Sequence, residues 1–367
     1  MKIVPFDETW APAVREFNRR LRAGGESYQF YESPVPTWLP HEPGVSSWRE
    51  FFLATDGEHV RGAYVLKHEQ FSIQGELQEL ASWQGPCSEG TVDPRFMAVG
   101  LRLIQDMQRR EPLLLGLGIG DPGRPLPQIL QSLRWDVRWT PIAVKVLRPR
   151  RFLRQAAMLR HSRSRARLLD LAAMTGLGSI GKVAYERVVG RRPPRRLGVE
   201  PVTDFGEWAD ELWVDCSPDY AFVALRDGAT LRRTFPRDET RFTRFRVHDE
   251  EGPVGWAVLS IKQMEDDPRF GSMRVGTLVD LFGRPGDAHA IVAAVVAQFR
   301  NADLDMLLSN QTHPAWNQAL RREAFLVQPR RRCIAASREL SKRLHDIDPK
   351  REGRHLTNAD GDGPMGL

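Results

Sequence analysis

The chain has 367 residues, of which 41% are hydrophobic and 27% are charged, and these values are typical of a folded globular protein. Its length predicts two domains of roughly 150 residues each. No run approaches the ~20 apolar residues of a membrane span, and the first residues lack the apolar core of a signal peptide, so we expect a cytoplasmic protein.

Composition also limits the kinds of site. The cysteines Cys87, Cys216 and Cys333 are odd in number and far apart, which predicts neither a disulfide framework nor a zinc site. The net charge is +6 and is carried mainly by arginine, whose planar fork suits phosphates. A phosphorylated cofactor, an anionic lipid and a nucleic acid are all open as partners, beside an ordinary solvated surface.

Periodicity and turn residues predict alternating strands and helices in the first half of the chain. In order, these are a strand over 2–6, a helix marked by Trp10, Val14, Phe17 and Leu21, a hairpin of strands Glu50–Thr55 and Val60–Lys67, a strand Leu77–Trp83, a helix marked by Phe96, Val99, Leu103 and Met107, a strand Leu113–Leu117, a loop Gly118–Asp121, a helix Pro125–Arg134 and a strand Ile142–Leu147. The proline-rich and aromatic stretch Tyr28–Gly44 is predicted to be a loop that serves as a substrate lid or as packing.

The second half repeats this order, which predicts one fold occurring twice. Its centre is the strand Val275–Gly283, followed by a Gly/Pro loop and an apolar helix to Phe299. Such a loop directs backbone N–H groups and a helix N-terminus toward the space beyond the end of the strand. These groups favour the binding of an anion there. A neighbouring strand, Met306–Ser309, leads through Asn310 and His313 into a second helix.

The segment between the halves, 149–196, is rich in arginine and predicts a basic helical linker. A solvated interdomain helix, anionic lipid contact and nucleic-acid contact are the alternatives. The stretch 339–367 lacks apolar periodicity after Leu344 and is predicted to be a disordered tail. The predicted domains are therefore 1–148 and 197–338.

This order of elements resembles the GNAT acyltransferase fold, present here as a tandem pair with an α/β mixed sheet in each half. The matching residues are Gly62 with Tyr64–Leu66, Gly255 with Ala257–Leu259, and Asn310 followed by Ala319–Phe325, with Leu130–Trp135 in the equivalent place of the first half. Tandem halves are also similar to Fem-type aminoacyl transferases.

The resemblance implies an acyl-CoA whose pyrophosphate lies on a loop of pattern Gln/Arg-x-x-Gly-x-Gly/Ala. The second half offers a loop that is one residue short, and the first half places the carboxylate of Glu89 within its loop Gln84–Gly90. Like charges at about 4 Å cost about 1 to 4 kcal/mol. We therefore expect acetyl-CoA or another acyl-CoA in the second half, on Gly283, Arg284, Gly286, Asp287, Ala288 and His289, with Asp287 as the helix N-cap.

The family often uses a tyrosine in its last helix as the acid, but Leu320 and Leu130 stand at the matching positions. Polar residues near the same strand ends supply the alternatives. Asp280, Asn310 and His313 are the catalytic candidates of the second half, and Glu79, with Ser82 beside it, is the candidate of the first half.

The resemblance thus implies an acyl-CoA-dependent acyltransferase, an N-acetyltransferase by preference, that acts on an amine or hydroxyl of a small molecule or glycan precursor and uses no metal. An aminoacyl-tRNA-dependent transferase and a non-catalytic binding protein are the alternatives. Peripheral membrane contact through the basic linker stays open, and the sequence gives no oligomeric state.

Overall fold

The computed structural model describes residues 1–26, 28–34, 38–119, 125–299, 302–345, 347 and 353–361, without the side chains of 330 and 331. These residues form two compact units. The first contains the described residues within 1–139, 332–347 and 360–361, and the second contains those within 140–331 and 353–359.

The first unit is a mixed sheet with helices on both faces. Its elements are β1 Lys2–Pro5, α1 Ala11–Ala23, β2 Trp48–Asp56, β3 His59–Ile73, β4 Glu76–Ser88, α2 Ala98–Arg110, β5 Leu114–Leu117, α3 Pro125–Ser132 and the first part of β6 Asp136–Val146. The strands β1 to β4 pair as antiparallel neighbours, while β4 and β5 are parallel.

Amphipathic helices account for the two layers of this unit. The stripe Val14, Phe17 and Leu21 of α1 packs with Phe51 and Val65 on one face of the sheet. The stripe Val99, Leu103 and Met107 of α2 packs with Leu66 and Trp83 on the other. Side chains three and four apart share one face of a helix and alternate residues share one face of a strand, so these spacings determine which face is buried.

The second unit repeats the plan. After β6 the chain forms α4 Pro149–Gln155, α5 Arg163–Met174, α6 Leu177–Val189, β7 Gly198–Val202, α7 Glu207–Cys216, β8 Phe222–Ala224, α8 Gly228–Thr234, β9 Phe242–His248, β10 Pro253–Gln263, β11 Arg274–Gly283, α9 Ala288–Ala297, β12 Met306–Ser309, α10 Pro314–Arg322, β13 Leu326–Ala336, α11 Arg338–His345 and β14 Arg354–His355. Its sheet has the order β6, β12, β11, β10, β9, β7, with β11 and β12 parallel.

Each unit is completed by a strand from the other half of the chain. In the second unit, Ala143–Val146 of β6 pair antiparallel with β12. In the first unit, Ile334–Ala336 of β13 pair antiparallel with β5. The predicted boundary at 148 is therefore not the boundary of a compact unit, because β6 crosses from the first unit to the second at residues 139 and 140.

The prediction of a disordered tail is wrong for residues 353–361. His355, Leu356, Thr357, Asn358, Ala359 and Asp360 are all buried, with 0 to 5% of their surface exposed. Arg354 and His355 form β14, which pairs in parallel with β8. The segment is buried by aromatic stacking and side-chain hydrogen bonds rather than by an apolar stripe. Its sequence therefore shows no apolar periodicity. Of the predicted loop Gly118–Asp121, Gly120 and Asp121 lie outside the described residues.

Burial of the 353–361 segment predicts that it stabilises the fold. Leu356→Ala leaves a cavity at a position that is 4% exposed, so we expect the free energy of unfolding to fall by about 2 to 5 kcal/mol. Leu326→Ala, at a leucine that is 53% exposed, should change it by less than about 0.5 kcal/mol. Urea unfolding of the two variants measures the difference, and equal stabilities would mean that this segment is not part of the folded core.

Candidate functional site

In the second unit, the parallel strands β11 and β12 separate after four paired positions. The pairing runs from Val275 with Met306 to Leu278 with Ser309. Immediately beyond it, Val279 is an extra residue relative to the neighbouring strand β10, which makes a β-bulge. Backbone groups of β11 beyond the bulge therefore need partners other than β12.

Residues 353–359 supply these partners. The imidazole Nε2 of His355 donates to the Leu281 carbonyl oxygen at 2.8 Å. On the other side, the amide of Thr312 donates to the Leu356 carbonyl oxygen at 3.1 Å, and the amide of Leu356 donates to the Thr312 hydroxyl at 2.8 Å. The chain itself thus occupies the separation between β11 and β12.

His355 is the centre of this packing. Its ring stacks on Tyr220 and Trp316, with centroid distances of 4.8 and 5.6 Å. Donation from Nε2 fixes the tautomer, and its Nδ1 has no hydrogen-bond partner among the described residues. Burial, together with the charge of Arg226, lowers the pKa of His355 to about 3, so the ring is neutral at physiological pH.

Asp280 lies beside this segment and is fully buried. Its carboxylate accepts from Arg226 at 3.1 Å, from the Thr357 hydroxyl at 2.9 Å and from the Trp256 indole at 3.1 Å. Burial alone would raise the pKa of Asp280, but Arg226 outweighs it and keeps the pKa below its ordinary value. Asp280, predicted as a catalytic candidate, is thus an ion-paired support of residues 353–359 in this structure, because its oxygens are bonded within the fold.

The other candidates of the second unit also contact residues of the fold. The amide of Asn310 donates to the Asn358 side chain at 2.7 Å. His313 caps α10, where its Nδ1 accepts from the amide of Ala315 at 3.2 Å, and burial lowers its pKa to about 4. The structure therefore brings Asp280, Asn310 and His313 together around residues 353–359, in structural contacts that the sequence did not indicate.

The predicted cofactor loop Gly283–His289 is held by ion pairs. Arg284 lies 3.5 Å from Asp219, and Asp287 lies 2.8 Å from Arg195. Asp287 precedes α9 as predicted, but its side chain makes no capping hydrogen bond. His289 is buried, with Nε2 3.3 Å from Glu323.

Around this loop, Gly283 has φ +152° and its carbonyl accepts from the Tyr220 hydroxyl at 2.6 Å. Gly286 is exposed, and Ala288 is buried at the start of α9.

The first unit has the same strand geometry at β4 and β5. Parallel pairing ends at Trp83 with Gly116, and the register of β4 against β3 shifts directly afterwards. Gly85 lies in this bulge with φ +52°, and a Cβ there would lie 2.2 Å from the Tyr28 hydroxyl. Glycine adopts this left-handed conformation without strain and leaves room for the Tyr28 hydroxyl.

Glu89, whose negative charge led us to expect the acyl-CoA in the second half, is neutralised in the structure. Glu89 is buried, and it accepts from Arg20 at 2.7 Å and from Arg61 at 2.9 Å. Burial raises the pKa of Glu89, but hydrogen bonds from the two guanidinium groups outweigh this and lower it below its ordinary value. The predicted loop Gln84–Gly90 is instead the end of β4, up to Ser88, and the start of the short 3-10 turn Glu89–Thr91. Glu89 is an ion-paired support of this segment, and the expected repulsion of phosphate from it is removed.

Four polar side chains lie together beside this separation, and we call them the β3–β4 cluster: Lys67, Glu69, Ser82 and Gln84. The Lys67 ammonium, fully buried, lies 2.5 Å from Glu69, and the Ser82 hydroxyl lies 3.3 Å from the other carboxylate oxygen of Glu69. Ser82 and Gln84 also lie within hydrogen-bond distance of the Asp360 and Gly361 carbonyl oxygens, at 3.3 and 2.8 Å.

The β3–β4 cluster includes one sequence candidate, Ser82, and excludes another. Glu79 lies three residues earlier on β4, opposite Gln70, and is exposed. Sequence reasoning missed Lys67 and Glu69, although their alternate spacing on β3 places them on one face, opposite Ser82 across the strand pair.

Other kinds of site find no support within the described ranges. No group of three or more His, Cys, Asp or Glu side chains there is placed to hold a metal ion. Cys87, Cys216 and Cys333 are buried free thiols. No helix in the described part of the chain has the length and apolar character that a bilayer crossing requires.

The two units share one order of elements, and in each of them a pair of parallel strands separates. The chain therefore has a tandem GNAT fold, as predicted from the sequence. It is similar to N-myristoyltransferase from Saccharomyces cerevisiae, in a structure with bound myristoyl-CoA and inhibitors, with a TM-score of 0.52, 10% identity, and coverage of 92% of this chain and 79% of that one. A structure of the yeast enzyme with myristoyl-CoA gives a TM-score of 0.51 at 11% identity, over 92% and 78% of the two chains.

A probable N-acyltransferase from Enterococcus faecalis V583 matches with a TM-score of 0.49 and 10% identity, over 92% of this chain and 73% of that one. No protein-family model matches the sequence, and no curated protein matches it. At 10 to 11% identity, the likeness to N-myristoyltransferase establishes the fold alone.

The buried histidines predict a pH-dependent stability. His355 and His313 have pKa values of about 3 and 4 in the fold, against about 6.5 in the unfolded chain. As the pH falls from about 6.5 to 4, the unfolded chain takes up these protons and the folded chain does not. Stability should therefore fall by up to about 1.4 kcal/mol per pH unit for each histidine.

Urea unfolding between pH 4.5 and 7 measures this slope, and His355→Gln or His313→Gln should each remove about half of it. The contribution of Asp280, whose pKa is lowered, is lost only at pH values below this window. Equal slopes in the parent and both variants would show that neither histidine is held neutral by the fold.

Proposed function

We propose that the chain is an acyl-CoA-dependent acyltransferase and that its first unit binds the donor. The observation that carries this proposal is the pair of guanidinium groups, Arg20 and Arg61, that neutralises Glu89 in the segment after Trp83. Occupancy does not distinguish the units, because the C-terminal segment lies in both separations. Residues 353–359 bond to Leu281 and Thr312 in the second unit, and Asp360 and Gly361 contact the side chains of Ser82 and Gln84 in the first.

The donor in this proposal lies along β4 beyond Trp83, where the backbone leaves β5. Its pantetheine arm would bond to the β4 backbone, and its pyrophosphate would lie on residues 84–91, which are the end of β4 and the turn that follows it. Two features support this placement: the bulge at Gly85 and the ion pairs that neutralise Glu89. Backbone N–H groups of such loops suit phosphate oxygens.

The β3–β4 cluster supplies the proton transfers in this proposal. The acceptor's nitrogen or oxygen attacks the thioester carbonyl, and CoA leaves as a thiolate. Glu69 accepts the proton that the acceptor loses, Ser82 gives its proton to the thiolate, and Glu69 returns a proton to Ser82. Lys67, 2.5 Å from Glu69, holds the carboxylate in place.

The preferred acyl group is acetyl, with longer acyl groups as alternatives, and the acceptor is an amine or hydroxyl of a small molecule or glycan precursor. Removal of one general acid–base group costs about 10² to 10⁴ in rate. A rate loss of this size can be measured even with an acceptor that reacts slowly, so the role of Glu69 is testable.

Loss of the Glu69 carboxylate should slow the chemical step while donor binding remains. We expect Glu69→Gln to lower kcat about a hundredfold or more, measured as release of the CoA thiol from acetyl-, octanoyl- and myristoyl-CoA with amino-sugar and amino-alcohol acceptors. Protection of the fold from heat by the acyl-CoA should be unchanged in this variant.

The matched control is Glu76→Gln, at an exposed glutamate at the start of the same strand β4, which should turn over like the parent. Parental turnover by Glu69→Gln would remove Glu69 from the mechanism. Absence of heat protection by every acyl-CoA in the parent would instead indicate a binding protein without acyl-CoA chemistry. A salt-sensitive complex with aminoacyl-tRNA would point to the tRNA-dependent alternative.

A further inference from the structure

The helical hairpin of α5 and α6 exposes large apolar side chains at many adjacent positions. Between 52 and 72% of the surface of six of them is exposed: Leu168, Leu171, Met174, Leu177, Ile180 and Val188. Isolated exposed apolar residues are ordinary, but a contiguous set of this size on one supersecondary element marks an interaction surface.

The orientation of α6 is the reverse of that of an ordinary surface helix. Leu177, Ile180, Ala184 and Val188 lie on one helical face by their spacing, and all four are exposed. The charged side chains of Lys182 and Glu186 lie on the opposite face and bond to other residues of the second unit.

These inward contacts fix the rotation of α6 about its axis. Lys182 donates to the Leu147 carbonyl oxygen at 3.2 Å, and Glu186 lies 3.4 Å from Lys145. The Tyr185 hydroxyl donates to the Phe325 carbonyl oxygen at 3.4 Å, and a Cβ on Gly178 would lie 2.7 Å from Leu153. Because the polar face is bonded inward, the apolar face is held toward solvent.

Positive charge surrounds this apolar face. Residues 148–196 contain 13 arginines and one lysine, against one aspartate and one glutamate. Both acids are paired, Asp170 with Arg160 at 2.8 Å and Glu186 with Lys145. Arg163, Arg165 and Arg167 on α5, with Arg191 and Arg192 after α6, are exposed. The whole chain carries only +6, so the excess of positive charge is concentrated here.

We propose that the α5–α6 hairpin binds the surface of an anionic lipid bilayer. Exposed leucine, isoleucine and valine side chains enter the boundary between headgroups and acyl chains, and the arginines contact lipid phosphates. A second copy of the chain fits this surface less well, because it would bring two strongly positive hairpins together. Nucleic acid would satisfy the arginines but leave the apolar stripe exposed.

A groove along the inner side of α6 adds to this basic surface. Its volume is about 1160 Å³, and its lining includes Lys182, Arg187, Arg191, Arg192 and Arg322, with Ala290, Ala294 and Ala297 of α9. Basic side chains above small apolar ones suit a lipid phosphate group whose acyl chains remain in the bilayer.

Vesicle sedimentation with the full chain tests the proposal. The parent should sediment with vesicles of equal parts phosphatidylcholine and phosphatidylglycerol, sediment little with phosphatidylcholine alone, and be released in part by added salt. The double variant Ile180→Glu, Val188→Glu should weaken binding about tenfold or more and keep the melting temperature, because both residues are exposed. Replacing Arg163, Arg165 and Arg167 by Gln should weaken binding to the anionic vesicles only.

The matched control is Val214→Glu, at a valine on α7 that is 69% exposed, and it should bind vesicles like the parent. The proposal fails if the parent does not bind anionic vesicles, or if the double variant binds them like the parent. It also fails if sedimentation velocity shows that the double variant only converts a dimer into monomers, since the hairpin would then be a contact between copies. A complex with RNA that excludes vesicles would likewise overturn it.

Discussion

Two parallel strands that separate leave backbone N–H and C=O groups without a ladder partner, and a folded protein must satisfy them. This constraint applies twice in the chain, at β11 and β12 and at β4 and β5. In the second unit, residues 353–359 meet it, with His355 bonded to Leu281 and stacked between Tyr220 and Trp316. The buried pair of Asp280 and Arg226, joined by Thr357, secures the same segment.

The two units of the same fold place different charged groups at these separations. In the second unit, the buried pair of Asp280 and Arg226 is part of the fold, since breaking a buried ion pair by removing one partner is strongly destabilising. In the first unit, charged groups are placed differently. Arg20 and Arg61 neutralise Glu89 under the loop, while Lys67 and Glu69 lie beside Ser82. Equivalent strands of the two repeats therefore carry charged groups in different arrangements.

Local patterns were sufficient to predict most of the elements. The turn at Asp56 and Gly57 predicted the hairpin of β2 and β3, and the stripes of α1 and α2 predicted the two faces of the first sheet. The strand, loop and helix from β11 to α9 were also predicted. The exchange of β6 and β13 was not, because the pattern of a strand does not specify the sheet in which it pairs.

The sites were harder to predict because they depend on contacts distant in sequence. Asp280 was singled out as a catalytic candidate, but its partner Arg226 lies 54 residues away and gave no local signal. Glu89 was read as a repulsive charge, since the sequence could not show the 69-residue contact with Arg20. The spacing of α6 predicts a stripe, yet only the contacts of Lys182 and Glu186 show that this stripe faces solvent.

Calorimetric titration of acetyl-CoA and myristoyl-CoA into two charge variants distinguishes a donor bound by the first unit from one bound by the second. Thr91→Glu adds a carboxylate at an exposed position of the first unit's loop, and Arg284→Glu reverses a charge on the second unit's loop. We expect Thr91→Glu to weaken binding about tenfold or more, from Coulomb repulsion of the phosphates, while Arg284→Glu binds like the parent. Weakened binding by Arg284→Glu together with parental binding by Thr91→Glu would contradict this expectation and place the donor in the second unit.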